Sequence, residues 1–174
     1  MKIRLVRPAP EMEAQALAYR QAHFDAGETV INGSELLDRA ESYAQWCRNT
    51  DANTRPETVN PDWVVTDTFF ALDEADEIVG IIALRHTLND FLRDFGHCGY
   101  SVAPQKRCRG YATEMLRQIC GIARECGMDS LQLSAERSNA PSVKTIQRNG
   151  GVYERSFTFE GEAADVYRIA LNKA

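Results

Sequence analysis

The sequence predicts an α/β fold: a single domain over 1–174, with a mixed, mostly antiparallel sheet of about seven strands flanked by about four helices. Three observations carry that expectation. Runs rich in β-branched and aromatic residues, most clearly WVVTDTFFAL and IVGIIALRHTL, read as strands. The stretch after Gly110 places Ala112, Met115, Leu116, Ile119, Cys120 and Ala123 at helical spacing. No repeat, low-complexity tract or composition shift marks a linker, and 174 residues suit one compact core.

In chain order, Ile3 to Pro8 reads as a first strand, stopped by Pro8 and Pro10. Glu11 to Phe24 has helical spacing through Met12, Ala16 and Tyr19, closed by Gly27. In NGSELLDRAESYAQWC, Ser34 is expected to cap a second helix running to Cys47, with the polar Arg48 to Pro61 segment as a loop. WVVTDTFFAL, DEADE and IVGIIALRHTL form a hairpin around an acidic turn, and LNDFLRDFG leads to a further strand, HCGYSV. A helix from Gly110 to Gly127 follows, then a short strand, Ser130 to Glu136. SNAPSVKTIQRNGG reads as a loop feeding a helix that Gly150 and Gly151 end, and VYERSFTFEG and DVYRIAL close the chain as strands.

Hydrophobic residues at 44% and charged residues at 26% are ordinary for a soluble globular protein. A net charge of -5 argues against a surface that coats nucleic acid. The first residues lack the apolar core of a signal peptide, and no apolar run approaches the roughly 20 residues of a membrane helix. A cytoplasmic protein with no membrane partner is expected. The five cysteines are scattered without CxxC spacing or paired histidines, so neither a disulfide framework nor a metal site is expected.

Against that acidic background, APQKRCRGYATEML gathers Lys106, Arg107 and Arg109 immediately before a helix. Cations at a helix start oppose its macrodipole unless an anion joins them. Free main-chain N–H groups, the dipole and a glycine that admits close approach together make a phosphate-binding layout, with the three basic residues as counter-charge. The motif GxxxxGK[ST] is absent, as is GxGxxG, which excludes a P-loop or dinucleotide fold as the source.

These residues resemble a family. Arg107-Cys-Arg-Gly110-Tyr-Ala112 is similar to the [QR]-x-x-G-x-[GA] motif of the GNAT superfamily of acyl-CoA-dependent N-acetyltransferases, and SNAPSVKTIQRNGG resembles its second signature. LRHTLNDFL and GHCGYSVAP further resemble a bacterial subgroup of predicted acetyltransferases. The resemblance implies a GNAT-like fold and acetyl-CoA as acyl donor, with no metal. It implies that main-chain amides of Arg107, Cys108, Arg109, Gly110, Tyr111 and Ala112 hold the CoA pyrophosphate. The strand through Tyr100, Ser101 and Val102 is expected to splay from SLQLSAE, with the pantetheine arm between them and Asn139 and Ser142 lining it; an Asn139 that only starts a turn before Pro141 is the alternative. Dimers are common among such families, so a homodimer is possible on this reading.

Acyl transfer to an amine needs a neutral nucleophile, an oxyanion donor and a tolerable leaving group. The Val102 N–H is the oxyanion donor that the resemblance implies. His97 is the expected base, because it starts that strand and titrates near neutral pH; a solvated strand-end histidine is the alternative. Glu136, ending the neighbouring strand, is the second candidate, or else a loop cap. Many GNAT enzymes carry a tyrosine acid seven residues after the signature asparagine, where this chain has Ile146; Tyr100 or Tyr111 could substitute, or simply pack. His86, Asn89 and Asp90 are expected either to edge the acceptor pocket or to form a capped loop. The function so read is acetyl transfer from acetyl-CoA to a primary amine, small or peptide-borne, in a ternary complex. A CoA-binding module without catalysis, or transfer of a larger acyl group such as succinyl, stands beside it.

Overall fold

The structure is a computed structural model describing residues 2–171, so the ends of the expected 1–174 domain lie outside the described residues. Seven strands and four helices are present: β1 Arg4–Val6, α1 Glu13–Asp25, α2 Tyr43–Ala52, β2 Thr66–Leu72, β3 Ile78–Arg85, β4 Cys98–Val102, α3 Tyr111–Glu125, β5 Ser130–Glu136, α4 Ala140–Arg148, β6 Val152–Phe159 and β7 Glu162–Ala170. The strands divide into two sheets, ordered β1-β2-β3-β4 and β5-β7-β6, and each pairing within them is antiparallel.

Apolar surface is buried on both faces of the first sheet, which explains the near-continuous apolar runs of β2 and β3. Phe69, Ala71, Ile82 and Leu84 join Met115, Leu116 and Ile119 of α3 in one core layer. Phe70, Leu72, Ile78 and Ile81 join Ala16, Tyr19, Tyr43 and Trp46 of α1 and α2 in the other. The period-2 alternation of β2 therefore feeds two layers at once. Phe70 is fully buried, so its truncation to alanine should cost about 3–5 kcal/mol. Asp73 sets the hairpin between β2 and β3, its Oδ1 accepting from the amides of Ala75 and Glu77.

The second helix begins later than its sequence suggests. Glu35 and Leu36 have φ of 49° and 71°, left-handed values that no right-handed helix accommodates. The cap is Ser42, whose side chain accepts from Gln45 N at 3.3 Å, and α2 then runs past Arg48 to Ala52. A tertiary contact overrides the helical spacing here: Gly33 lies so close to β4 that a Cβ on it would stand 2.1 Å from the Gly99 carbonyl oxygen.

All five cysteines are free thiols, with Cys47, Cys98 and Cys120 buried. Among the described residues no helix is long and apolar enough to cross a membrane.

Candidate active site

β4 and β5 are edge strands of different sheets, and an isolated bridge between Gly96 and Leu133 joins the sheets there. Beyond that joint the two strands do not pair. Ala103 N donates to Val79 O at 2.9 Å, so the alternation of an antiparallel ladder turns Ser101 toward β3. The N–H and C=O groups of Tyr100 and Val102 therefore face the open edge. The expected splay between these strands has its main-chain basis in this arrangement.

Past Val102 the chain makes a short 3-10 turn at Pro104–Lys106 and enters the glycine loop. Cys108 and Gly110 have φ of 59° and 86°, and alternating handedness of this kind curls successive N–H groups toward one side. Gly110 is the N-cap of α3 and brings no side-chain acceptor, which leaves the first amides of that 15-residue helix uncapped. Residues 107–110 are all exposed, whereas Met115, Leu116, Ile119 and Ala123 anchor the helix in the core.

Two of the three cations expected as counter-charge already have partners. Lys106 Nζ lies 2.8 Å from Glu77 and 3.4 Å from Asp73. Arg107 meets Glu28 through its two terminal guanidinium nitrogens, at 2.6 and 2.7 Å, and donates from Nε to Val102 O at 3.1 Å. Arg109 alone of the three has no ion pair among the described residues; its side chain reaches Gln105 O at 3.3 Å. An anion bound here would therefore be met by the loop's backbone and by Arg109 more than the charge count suggests.

On the far side of the gap, Asn139 caps α4 by accepting from Ser142 N at 3.2 Å. Ser142 Oγ lies 2.8 Å from the Tyr100 hydroxyl, so the structure brings these two expected site residues together across the gap. Burial raises the Tyr100 pKa to about 12, which keeps the hydroxyl protonated. Ile146 is fully buried and packs against Gly151, a core role with no hydroxyl to offer. Tyr111 is half-buried against the core.

His97 does not stand free. Its Nδ1 accepts from Gln132 N at 2.9 Å, its own N donates to Gln132 O at 2.7 Å, and its carbonyl accepts from Arg85 N. Because a backbone amide can only donate, Nδ1 supplies the lone pair and the neutral ring carries its proton on Nε2. Burial and the charges of Arg168 and Arg85 push its pKa below the ordinary value, which favours that neutral ring. His97 thus joins the sheets, and the nitrogen that the expected base would use already accepts from Gln132 N. Glu136 ends β5 at the open end, exposed and in no ion pair among the described residues, while its carbonyl accepts from Asn139 N.

His86 is also placed elsewhere. Its Nε2 lies 2.7 Å from Asp67, whose other oxygen pairs with Arg7, and the two stand beside Cys126 at the C-terminal end of α3. The cradle is at the other end of that helix, roughly 22 Å away. Asn89 caps its own loop by accepting from Leu92 N, and Asp90 is exposed. Of these three, Asn89 forms the expected loop cap, while His86 is paired with Asp67.

The residues that sequence reasoning missed lie on and after α1. Tyr19 donates its hydroxyl to Ser101 O at 3.1 Å. Glu28 holds Arg107, and His23 Nδ1 lies 2.7 Å from Glu28 Oε2. Glu35, nearly buried, sits 3.5 Å from Arg85. No spacing links Tyr19 or Glu28 to the strand and loop they meet; packing of α1 on the sheet brings them there, whereas Glu35 and Arg85 stand at the joint beside Gly96.

Residues 3–152 match the family model described as the acetyltransferase (GNAT) domain. No curated protein matches the chain. Among solved structures, the chain is similar to a Bordetella pertussis protein assigned to the GNAT-family acetyltransferases, at 18% identity over 97% of this chain and 96% of that one, with a TM-score of 0.70. It is also similar to yncA of Salmonella typhimurium, assigned as an acetyltransferase and solved with acetyl-CoA, at 15% identity, 99% and 95% coverage and a TM-score of 0.68. A chimera of the spermidine N-acetyltransferase SpeG from Vibrio cholerae and hSSAT has 12% identity, 98% and 97% coverage and a TM-score of 0.67. At these identities the likeness speaks for a shared fold.

Proposed function

The chain belongs to the GNAT acetyltransferase family, and from that premise we propose that it moves an acetyl group from acetyl-CoA directly to a primary amine in a ternary complex. The observation that carries this reading is the open β4 edge at Val102 beside the uncapped, glycine-led start of α3. The residues suit the cosubstrate: exposed amides on a curled loop for a diphosphate, and edge amides spaced for an extended amide-bearing arm.

Acetyl-CoA supplies the activated thioester carbonyl. Of the amides expected from Arg107 to Ala112, that of Arg107 is turned to Pro104 O at 3.4 Å, so those from Cys108 to Ala112 bind the diphosphate, and Arg109 adds the charge that Lys106 and Arg107 have committed to carboxylates. The Val102 N–H points at the open edge as donor to the oxygen that gains charge during transfer. Asn139 is held in its capping role, and Ser142 orients the Tyr100 hydroxyl toward the gap. The leaving thiol, with an ordinary pKa around 8.5, departs as thiolate with little help, so Ile146 in place of a tyrosine is tolerable. An amine with pKa near 10.4 must lose a proton first. With His97 engaged, Glu136 takes that proton, directly or through water.

Thiol release from acetyl-CoA across a panel of amines, with polyamines, amino acids and peptides included, tests the reading alongside calorimetry of CoA. Turnover with at least one amine and binding at the cradle are expected. Absence of CoA binding would overturn it, and binding with no turnover on any amine would favour the non-catalytic module.

A further inference from the structure

We infer that Tyr19 is a positioning residue for the Val102 peptide: its hydroxyl and the Arg107 guanidinium grip the two carbonyls that flank Val102 and sharpen the Val102 N–H as a donor. The inference rests on the transferase reading above. Tyr19 donates to Ser101 O at 3.1 Å, and that carbonyl shares one planar amide with the Val102 N–H. A donor on the oxygen draws electron density from the nitrogen, so the N–H opposite becomes a stronger donor, as linked hydrogen bonds polarise one another. Ser101 O already faces Ile81 across the ladder, which makes the hydroxyl an addition on the carbonyl's second lone pair. On the other side, Arg107 Nε donates to Val102 O at 3.1 Å and fixes the next peptide.

The two arms meet behind the strand. Arg107 is held by the Glu28 fork, Glu28 by His23 Nδ1, and the His23 ring lies edge-on to Tyr19 with centroids 4.8 Å apart. Tyr19 is 4% exposed and His23 1%, so this side of the circuit runs through the interior, where a hydrogen bond is stronger than in water. A tyrosine that merely packed would need only some acceptor for its hydroxyl. Here the acceptor is the one oxygen conjugated to the edge amide that the reaction uses.

Tyr19→Phe removes the oxygen and keeps the ring. With the best amine of the panel, kcat should fall about two- to sevenfold, the share of an oxyanion donor's effect that one linked hydrogen bond adds by polarisation, while the acetyl-CoA KM and CoA affinity stay within about twofold. In an amide NMR spectrum the Val102 proton should move upfield. Incorporation of 3-fluorotyrosine at position 19, a more acidic donor of nearly the same shape, should move both readings the other way and serves if the phenylalanine variant does not fold. An unchanged kcat, a loss matched by weaker CoA binding, or a Val102 proton that does not respond overturns the inference. Failure of the wild type to turn over any amine would instead defeat the transferase reading, and the Val102 shift is readable either way.

Discussion

Arg107 and Glu28 meet fork to fork, both terminal guanidinium nitrogens within 2.7 Å of the carboxylate, although 79 positions separate them in the chain. A residue that the sequence offers to a phosphate is thereby tied first to the segment after α1. The arrangement explains how a cluster of positive charge exists in the unliganded fold without self-repulsion: two of its three members are neutralised from within.

The pairing gives stability a pH dependence. Arg107 holds the Glu28 carboxyl at about 2, well below its ordinary value of about 4.3, with His23 adding to the effect. A depressed carboxylate pKa contributes stability that is complete above the unfolded value and lost as pH falls through the folded one. Wild type should therefore exceed Glu28→Gln in stability at pH 7, and the two should converge as pH falls from about 5 toward 2. Urea unfolding at stepped pH measures this, and a gap that persists at pH 2 would contradict it.

The cradle depends on Gly110. Its φ of 86° costs an ordinary residue about 1 kcal/mol, and any side chain there projects from the start of α3. Gly110→Leu should lower the melting temperature by about 2–4 °C and weaken CoA binding by more than tenfold. Near-normal affinity by calorimetry would mean that the diphosphate lies elsewhere.

His97 pins β4 to β5, so His97→Ala leaves the Gln132 amide without its partner. A loss of roughly 1–2 kcal/mol is expected. The pKa of His97 is lowered in the fold, so its contribution is complete above the ordinary value of about 6.5 and fades as pH falls below it. The stability difference between wild type and variant should accordingly be larger at pH 8 than at pH 5. If His97 were also the reaction's base, the variant would in addition lose rate, chiefly below pH 8.

The true cap of α2 is separable from the apparent one. Ser42→Ala removes an acceptor for Gln45 N and should cost about 1 kcal/mol. Ser34→Ala should be neutral or slightly stabilising, because the buried Ser34 Oγ has no hydrogen-bond partner among the described residues. Chemical denaturation of both variants checks the order, and a larger loss for Ser34→Ala would reverse the assignment.

Local signals were legible where the local chain decides the outcome. The α3 spacing from Ala112 to Ala123 and the β2–β3 hairpin around Asp73 appear near where the residues indicate, and the helix expected after the SNAP loop is α4. The second helix starts at Ser42 and not at Ser34, although helical spacing continues through Leu36 and Leu37, because Gly33 packs against Gly99 and Glu35 and Leu36 take left-handed φ.

The sequence by itself determined the element types, their order and the glycine loop at the head of α3, since propensity, periodicity and a positive-φ glycine act over a few neighbouring residues. Only the tertiary structure decided which groups remain free for chemistry. Lys106 and Arg107 are spoken for by Glu77 and Glu28, His97 by Gln132, and Ser101 by Tyr19, each partner at least 29 residues away. A hydrogen bond or ion pair is satisfied by proximity in space, and no one-dimensional pattern records which distant acceptor will arrive to claim a donor.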